Sequence, residues 1–100
     1  MRPKRLTEDE VGQALKELSG WTREGDAITR QFTFATFPDA IAFATRLAFD
    51  AEAADHHPEL TIDYKRVTLS YSTHSEGGLT QNDVDGARTA DRLAARFASS

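Results

Sequence analysis

The sequence predicts an α+β fold, in which three helices pack on one face of a four-stranded antiparallel sheet in the order α-β-β-α-β-β-α. Three segments carry apolar residues at helical spacing, four short segments alternate apolar with polar residues, and those four form two closely connected pairs. Sequential hairpins separated by helices are typical of α+β proteins. With 100 residues, the chain has about the length of one domain. We therefore expect a single domain over residues 1–100, with loose ends at 1–5 and 99–100.

Composition excludes several classes of protein. The chain has no Cys and a formal net charge of −4. It therefore has no disulfide framework, no thiolate zinc site and no Cys nucleophile. No apolar run approaches the ~18 residues of a membrane span, and the basic start leads into acidic residues rather than a secretory signal. Because nucleic-acid binders usually carry a basic excess, we expect a cytoplasmic protein that binds neither nucleic acid nor membrane.

The first helix is predicted to begin after Thr7. Thr7 and Glu10 have the spacing of a capping box, in which each side chain bonds the other residue's backbone N–H. Val11 begins an apolar stripe at helical spacing, and Ser19-Gly20 ends the helix.

Residues 21–24 and 27–34 are predicted to form the first hairpin. Gly25-Asp26 suits a two-residue type II′ turn because Gly comes first. That register puts Arg23 opposite Ile28. Side chains alternate along a strand, so one face of the hairpin carries the apolar residues Trp21, Ile28, Phe32 and Phe34.

The second helix is predicted to open at Pro38, where a missing N–H costs nothing, and to run to about Ala54. Its core-facing stripe is wide and comprises Phe37, Ala40, Ile41, Phe43, Ala44, Leu47, Ala48 and Ala51. Phe49 lies off this stripe. An exposed Phe on a small domain is either a subunit contact or an ordinary surface residue, and both interpretations stay open.

Residues 60–64 and 67–73 are predicted to form the second hairpin, with Lys65-Arg66 in the turn. Its apolar face is formed by Leu60, Ile62, Tyr64, Val67, Leu69 and Tyr71. One apolar and one polar face indicate an antiparallel sheet covered on one side. In this register residues 58–60 lie beside residues 71–73.

The third helix is predicted to follow Gly77-Gly78, with Thr80 as its cap. Its inner stripe comprises Val84, Ala87, Ala90, Ala94, Phe97 and Ala98. Asp83 lies near the same stripe, in the first turn. An acid there either closes a capping box with Thr80 or points into a site at the start of the helix, and the residues alone favour the cap.

The three His of the chain are predicted to converge at one end of the sheet. His56 and His57 lie between the second helix and the third strand, and His74 ends the fourth strand. Imidazole has an unperturbed pKa of about 6.5, so one His can remove a proton while another supplies one. Pro58 biases His57 to an extended conformation, and Asp55 or Glu52 is placed to orient an imidazole.

Two other interpretations compete with acid–base catalysis. Adjacent His residues in a connection are often simply exposed, and three His also fit an open zinc site. Against a metal, His56 and His57 are adjacent and tend to point apart, and the chain has no His-x-His or His-x-x-x-His pair. No Ser-His-Asp arrangement or glycine-rich phosphate loop is evident.

The sequence resembles the pterin-4a-carbinolamine dehydratase family from Gly20-Trp21 to the third helix. The motifs that carry the resemblance are Glu52, Asp55-His56-His57-Pro58-Glu59, Tyr64-Lys65-Arg66-Val67, Ser72-Thr73-His74, and Gly78-Leu79-Thr80 followed by Asp83. His-His-Pro with a later Thr-His at this spacing is a specific signal. Many members have an aromatic residue where this chain has Leu60, a departure that affects the mouth of the site.

The resemblance implies a hydro-lyase that converts 4a-hydroxytetrahydropterin to quinonoid dihydropterin and water without metal or organic cofactor. It implies that His56, His57 and His74 are catalytic. It also implies that Pro58, Asp83 and Glu52 support the site or bind substrate.

The resemblance further implies a small-molecule pterin substrate and a homodimer or homotetramer formed by pairing sheet edges and helices. It implies a role in tetrahydrobiopterin recycling, linked to an aromatic amino acid hydroxylase. The alternative is a non-catalytic dimerisation or binding module on the same fold, because open sheet edges invite pairing.

Overall fold

Three helices and four strands follow one another in the predicted order in a computed structural model that describes residues 3–98. The elements are α1 (Glu8–Glu17), β1 (Thr22–Glu24), β2 (Ala27–Thr33), α2 (Phe37–Ala54), β3 (Glu59–Asp63), β4 (Arg66–Tyr71), a short 3-10 helix (His74–Glu76) and α3 (Gln81–Ala98). The strands form one antiparallel sheet in the order β1-β2-β4-β3. The α+β class is confirmed.

Contacts near the N-terminus modify the prediction of loose ends. Arg5 forms an antiparallel bridge with Thr80, and the Leu6 N–H donates to the carbonyl of Leu79 over 2.8 Å. The expectation of a loose segment is therefore wrong at Arg5, because these bonds tie it to the start of α3. Residues 1–2 and 99–100, for which looseness was also expected, lie outside the described residues.

The sheet buries one face. On β2 and β4, Ile28 lies opposite Tyr71 and Phe32 opposite Val67, and all four side chains are buried. They form one apolar cluster with residues of all three helices, whereas the other face of these strands is polar. This is the one-sided burial that alternation predicts.

The predicted start of α1 and the first hairpin are confirmed. The Glu10 N–H donates to Thr7 Oγ1 over 3.1 Å and the Thr7 N–H donates to Glu10 Oε1 over 2.8 Å, which completes the capping box. Arg23 pairs with Ile28. Gly25 has a φ of +62°, the sign that a type II′ turn requires at its first central position.

Arg30 lies on the apolar face of β2 without disrupting it. Its guanidinium lies 4.5 Å from the centroid of the Phe32 ring and donates to Asp91 Oδ1 over 3.0 Å. Trp21 Nε1 donates to the same oxygen over 3.0 Å. Trp21 is buried against Phe32 and Tyr71, as its predicted place on the apolar face of the hairpin requires.

The predicted turn of the second hairpin is wrong by one residue. Tyr64 and Lys65 form the turn, Tyr64 has a φ of +54°, and Asp63 pairs with Arg66. The register therefore differs by two residues from the prediction, so that Glu59 lies opposite Ser70. Because side chains alternate with a period of two, the shift leaves each residue on its predicted face. β4 ends at Tyr71 rather than at residue 73.

The predicted stripe of α2 is too wide. Its bounds agree with the prediction within one residue, and Ala40, Phe43, Ala44, Leu47 and Ala51 are buried. Phe37, Ile41 and Ala48 are exposed instead, because α2 presents the narrower stripe to β4 and α3. β3 is one of the two edge strands of the sheet, and its apolar residues are also left partly uncovered.

An exposed apolar area results, which we call the β3 surface. It comprises Phe37 (46 % exposed), Ile41 (38 %), Leu60 (37 %), Ile62 (36 %) and Tyr64 (64 %). The rings of Phe37 and Tyr64 stack with centroids 6.4 Å apart. An exposed edge strand that carries apolar side chains is a template for pairing with another chain.

The inner stripe of α3 is confirmed where the structure describes it. Its buried residues are Val84, Ala87, Ala90, Leu93 and Ala94, of which Leu93 was not predicted. Phe97 packs partly buried against the same cluster. The side chain of Ala98 lies outside what the structure describes.

Candidate active site

The end of α2 directs His56 and His57 to different surroundings. Asp55 caps the helix in the left-handed conformation, with φ 53° and ψ 40°, and its N–H bonds the carbonyls of Ala51 and Glu52. The His56 N–H donates to the carbonyl of Ala51 over 3.1 Å. This sharp turn leaves His56 with 12 % of its side chain exposed and His57 with 55 %.

His56 is held on two sides. Its Nε2 lies 2.6 Å from Asp83 Oδ1, and its ring is nearly parallel to that of Tyr71, with an angle of 17° and centroids 6.0 Å apart. A short hydrogen bond between an imidazole and a carboxylate is stronger than one between neutral groups when either partner is charged. The ring of His56 is thereby fixed in position and orientation.

Asp83 contacts both the start of α3 and the ring of His56. It is fully buried, and its Oδ2 accepts the N–H of Thr80 over 2.9 Å, as in a capping box. The same oxygen accepts the Thr73 hydroxyl over 2.8 Å, while Oδ1 faces His56. One carboxylate therefore caps α3 and orients an imidazole.

His57 pairs with Glu52 rather than with Asp55. Its Nε2 lies 2.8 Å from Glu52 Oε1, and Glu52 is 80 % exposed. Asp55 serves as the helix cap, and within residues 3–98 the two imidazoles bond Asp83 and Glu52 instead. Pro58 follows half-buried before β3. Because exposed pairs contribute little to stability, the contact between Glu52 and His57 orients the ring without supporting the fold.

His74 lies at the same end of the sheet but lines a different cleft from His56. It begins the short 3-10 helix after β4 and is exposed. It lines a polar cleft of about 260 Å³ together with Asp26, Glu59, Ser72 and Gly78. His56 lines a cleft of about 110 Å³ between α2 and α3, together with Leu47 and Tyr71. Thr73 connects the two clefts, since it lines the cleft of His74 and donates a hydrogen bond to Asp83, the partner of His56.

Tyr71 and Gly86 were not predicted as site residues. Tyr71 is 1 % exposed, and burial, followed by the charges of Asp83 and Asp50, raises the pKa of its hydroxyl. A Cβ at Gly86 would lie 2.5 Å from Tyr71 Cε1. The signals were a Tyr two positions before Thr73 on the inward face, and a Gly inside a helical pattern, which is costly unless close packing requires it.

Neither a metal-binding cluster nor a membrane-spanning helix is found within residues 3–98. This part of the chain contains no group of three or more His, Asp or Glu side chains arranged to hold a metal ion. None of its helices combines the length and the apolar character that crossing a membrane requires.

Comparison with known proteins links these residues to one family. Residues 4–93 match the family model described as Pterin 4 alpha carbinolamine dehydratase. A protein of Roseiflexus sp. (strain RS-1) named "Putative pterin-4-alpha-carbinolamine dehydratase" is 48 % identical over 89 residues, which cover 89 % of this chain and 96 % of the relative. A protein of the same name from Mycobacteroides abscessus is 49 % identical over 86 residues, covering 86 % and 92 %.

Two solved structures are also similar. The crystal structure of a transcriptional coactivator/pterin dehydratase from Brucella melitensis has a TM-score of 0.88 and 43 % identity, and covers 91 % of this chain and 99 % of that chain. A pterin dehydratase-like protein described as a RuBisCO assembly factor in the alpha-carboxysome has a TM-score of 0.62 and 20 % identity, and covers 74 % and 86 %. The second likeness shows the fold alone.

Proposed function

The chain belongs to the pterin 4 alpha carbinolamine dehydratase family, and we propose on that premise that residues 1–100 act as one domain that dehydrates 4a-hydroxytetrahydropterin. The products are the quinonoid dihydropterin and water. The observation that carries the proposal is the partly buried hydrogen bond between His56 and Asp83, beside two further imidazoles at the same end of the sheet.

The reaction requires two proton transfers. The C4a–O bond breaks as the hydroxyl takes a proton and leaves as water, and the N5 proton is removed as the N5=C4a double bond forms. His56, His57 and His74 supply the acid and the base, while Asp83 and Glu52 orient the rings of His56 and His57. Pro58 restricts the backbone between His57 and β3. No metal or organic cofactor takes part in this scheme.

A stopped assay with chemically generated 4a-hydroxytetrahydropterin tests the proposal. We expect His56→Gln and His74→Gln to lower turnover about 10²- to 10⁴-fold, the usual contribution of general acid–base catalysis. Lys65→Gln, in the turn at the far end of β3, is the control and should retain full turnover. Wild-type rates in both His variants would contradict the proposal.

The pair of His57 and Glu52 has a separate test. Both side chains are largely exposed, so we expect Glu52→Gln to change the free energy of unfolding by less than about 1 kcal/mol. Turnover should nevertheless fall, because the neutral amide orients the His57 ring less firmly than the carboxylate. An unchanged turnover would remove Glu52 from the site.

We further propose that the protein forms a homodimer through the β3 surface. Pairing two β3 edges would satisfy free backbone groups and bury apolar side chains on a surface that a two-fold axis can match to itself. Ile62→Lys should then convert the dimer to a monomer in light-scattering mass measurements, whereas Thr61→Lys, on the opposite face of the strand, should not. Phe49, 68 % exposed on α2, is a second contact if a homotetramer forms, and Phe49→Lys would then leave a dimer.

The physiological role we propose is tetrahydrobiopterin recycling beside an aromatic amino acid hydroxylase, in the cytoplasm. A coupled assay tests this role, since added protein should accelerate the return of the hydroxylase's pterin product to the reduced pool. Addition of the His56→Gln variant should not accelerate it.

A non-catalytic dimerisation or binding module is the second candidate function, and the β3 surface favours it. The triple variant with Gln at positions 56, 57 and 74 separates the two functions. If the protein is an enzyme, the variant should lose turnover but keep the oligomeric mass of the wild-type protein. Absence of turnover in the wild-type protein, with self-association intact, would favour the module.

A further inference from the structure

The hydroxyls of Thr73 and Thr80 form a hydrogen-bonded chain whose direction is determined by the number of hydrogens. Thr73 Oγ1 donates to Asp83 Oδ2 over 2.8 Å, and a hydroxyl has only one hydrogen to donate. The 2.8 Å contact between Thr73 Oγ1 and Thr80 Oγ1 must therefore be a donation from Thr80 to Thr73. Thr80 Oγ1 in turn accepts the Asn82 N–H over 3.2 Å. Every hydrogen in this series of hydrogen bonds points toward Asp83.

The surroundings of Asp83 suit a carboxylate that carries no proton. Its Oδ2 accepts two hydrogens, from the Thr73 hydroxyl and the Thr80 N–H. Asp83 also lies in the first turn of α3, where the helix dipole favours negative charge. A proton-free Oδ1 is an acceptor only, so the hydrogen in its 2.6 Å contact with His56 belongs to Nε2.

The other ring nitrogen of His56, Nδ1, differs from Nε2 in its surroundings. Among residues 3–98, Nε2 is the only ring nitrogen of His56 with a hydrogen-bond partner. No buried side-chain nitrogen or oxygen in that part of the chain lacks a partner. Because Nδ1 has no partner among these residues, it cannot be one of the buried atoms, and solvent therefore reaches it. Such access is the condition for exchanging a proton with a bound molecule.

We infer that Thr73 and Thr80 are positioning residues that keep Asp83 free of a proton, hold the hydrogen of His56 on Nε2 and leave Nδ1 as its reactive nitrogen. The assignment of Nδ1 to proton transfer rests on the proposed function, whereas the hydrogen-bonded arrangement does not. Thr73 and Thr80 touch no reacting atom in this scheme and act through Asp83 and His56. Burial supports the role, because Thr73 is 7 % and Thr80 0 % exposed, so water does not replace a lost hydroxyl.

Proton NMR in the absence of any pterin tests the arrangement. We expect wild-type protein to show a low-field, slowly exchanging imidazole proton that disappears in His56→Gln. Thr73→Val should shift this signal to higher field and accelerate its exchange with water, whereas Thr73→Ser should retain it. Thr68→Val is the matched control, because Thr68 lies on the opposite, polar face of β4. Absence of the signal in wild-type protein would overturn the inference whether or not the valine variant folds.

Turnover in the same variants tests the catalytic part. Thr73→Val should lower kcat about 10- to 100-fold, by analogy with the loss when an outer hydrogen-bonding partner of a metal-binding histidine is removed, and Thr73→Ser should restore it. Thr80→Val should behave like Thr73→Val. Equal turnover and equal spectra in Thr73→Val and Thr73→Ser would overturn the inference while leaving the dehydratase assignment intact. The expected spectra with no wild-type turnover would instead refute the dehydratase and leave the hydrogen-bonded arrangement standing.

Discussion

Gly86→Ala is expected to destabilise the protein although the same change favours most helices. In α3, a Cβ at position 86 would lie 2.5 Å from Cε1, 2.8 Å from Cζ and 3.0 Å from Cδ1 of Tyr71. That ring cannot move away easily, because it is 1 % exposed and lies against the rings of His56 and Trp21. The methyl group therefore requires a shift of β4 or of α3.

The magnitude follows from two opposing effects. Replacing Gly by Ala inside a helix stabilises by about 1 kcal/mol, and overpacking a well-packed core costs about 1–3 kcal/mol. The net expectation is a loss of about 0–2 kcal/mol. Gly12→Ala in α1 is the matched control, because nothing lies within 4 Å of its added Cβ and only the gain of about 1 kcal/mol applies.

Urea unfolding followed by circular dichroism measures both variants. We expect their free energies of unfolding to differ by about 1–3 kcal/mol, with similar slopes against urea concentration. A difference of about 2 kcal/mol corresponds to a separation of about 8–16 °C in Tm for a domain of this size. Since Tyr71 also contacts His56, Gly86→Ala should lower turnover as well.

Stabilisation of Gly86→Ala equal to that of Gly12→Ala would refute the argument, because it would mean that Tyr71 is not held against α3. A double-mutant cycle sharpens the test. In a Tyr71→Leu background the obstructing ring is gone, so the added methyl should cost much less. An unchanged cost in that background would assign the strain to another contact.

Three further changes have defined outcomes. Burial raises the pKa of Tyr71 in the folded protein. The stability that Tyr71 contributes is therefore complete below the pKa of the unfolded chain, about 10. Above that pH the unfolded chain loses the proton first, and the free energy of unfolding falls by up to about 1.4 kcal/mol per pH unit. Urea midpoints of Tyr71→Phe at alkaline pH should therefore fall less steeply than those of wild type, and parallel curves would contradict this. Trp21→Phe should lower the free energy of unfolding by about 1 kcal/mol through loss of the bond to Asp91. Urea unfolding measures this change, and an unchanged free energy of unfolding would contradict it. Asp55→Gly should raise the melting temperature, because Asp55 has a φ of 53°, in a left-handed region that Gly adopts without the steric cost of a Cβ; a lower melting temperature would contradict this.

Features that depend on neighbours in the chain were accessible from the sequence. The capping box of Thr7 and Glu10 and the pairing of Arg23 with Ile28 each follow from spacing along a helix or across a short turn. The same local reasoning failed at the second hairpin. Tyr64 adopts a left-handed conformation that Gly or Asn usually occupies, so composition did not identify it as a turn residue.

Features that depend on the arrangement of distant segments were less accessible. The order of strands places β3 at an edge of the sheet, where Leu60 and Ile62 are left exposed. The contact between His56 and Asp83 joins residues 27 positions apart, and spacing alone could not distinguish it from an ordinary cap. Resemblance to a family brought Asp83 into the predicted set, while Tyr71 and Gly86 required the packed structure.

Asp83 also has a consequence for interpreting related chains. Its two oxygens serve different needs, since one maintains the first turn of α3 and the other orients His56. A related protein without catalytic activity would still lose helix stability if it lost this acid. An acid at this position therefore does not by itself indicate activity, because the proposed acid–base chemistry also requires an imidazole at position 56.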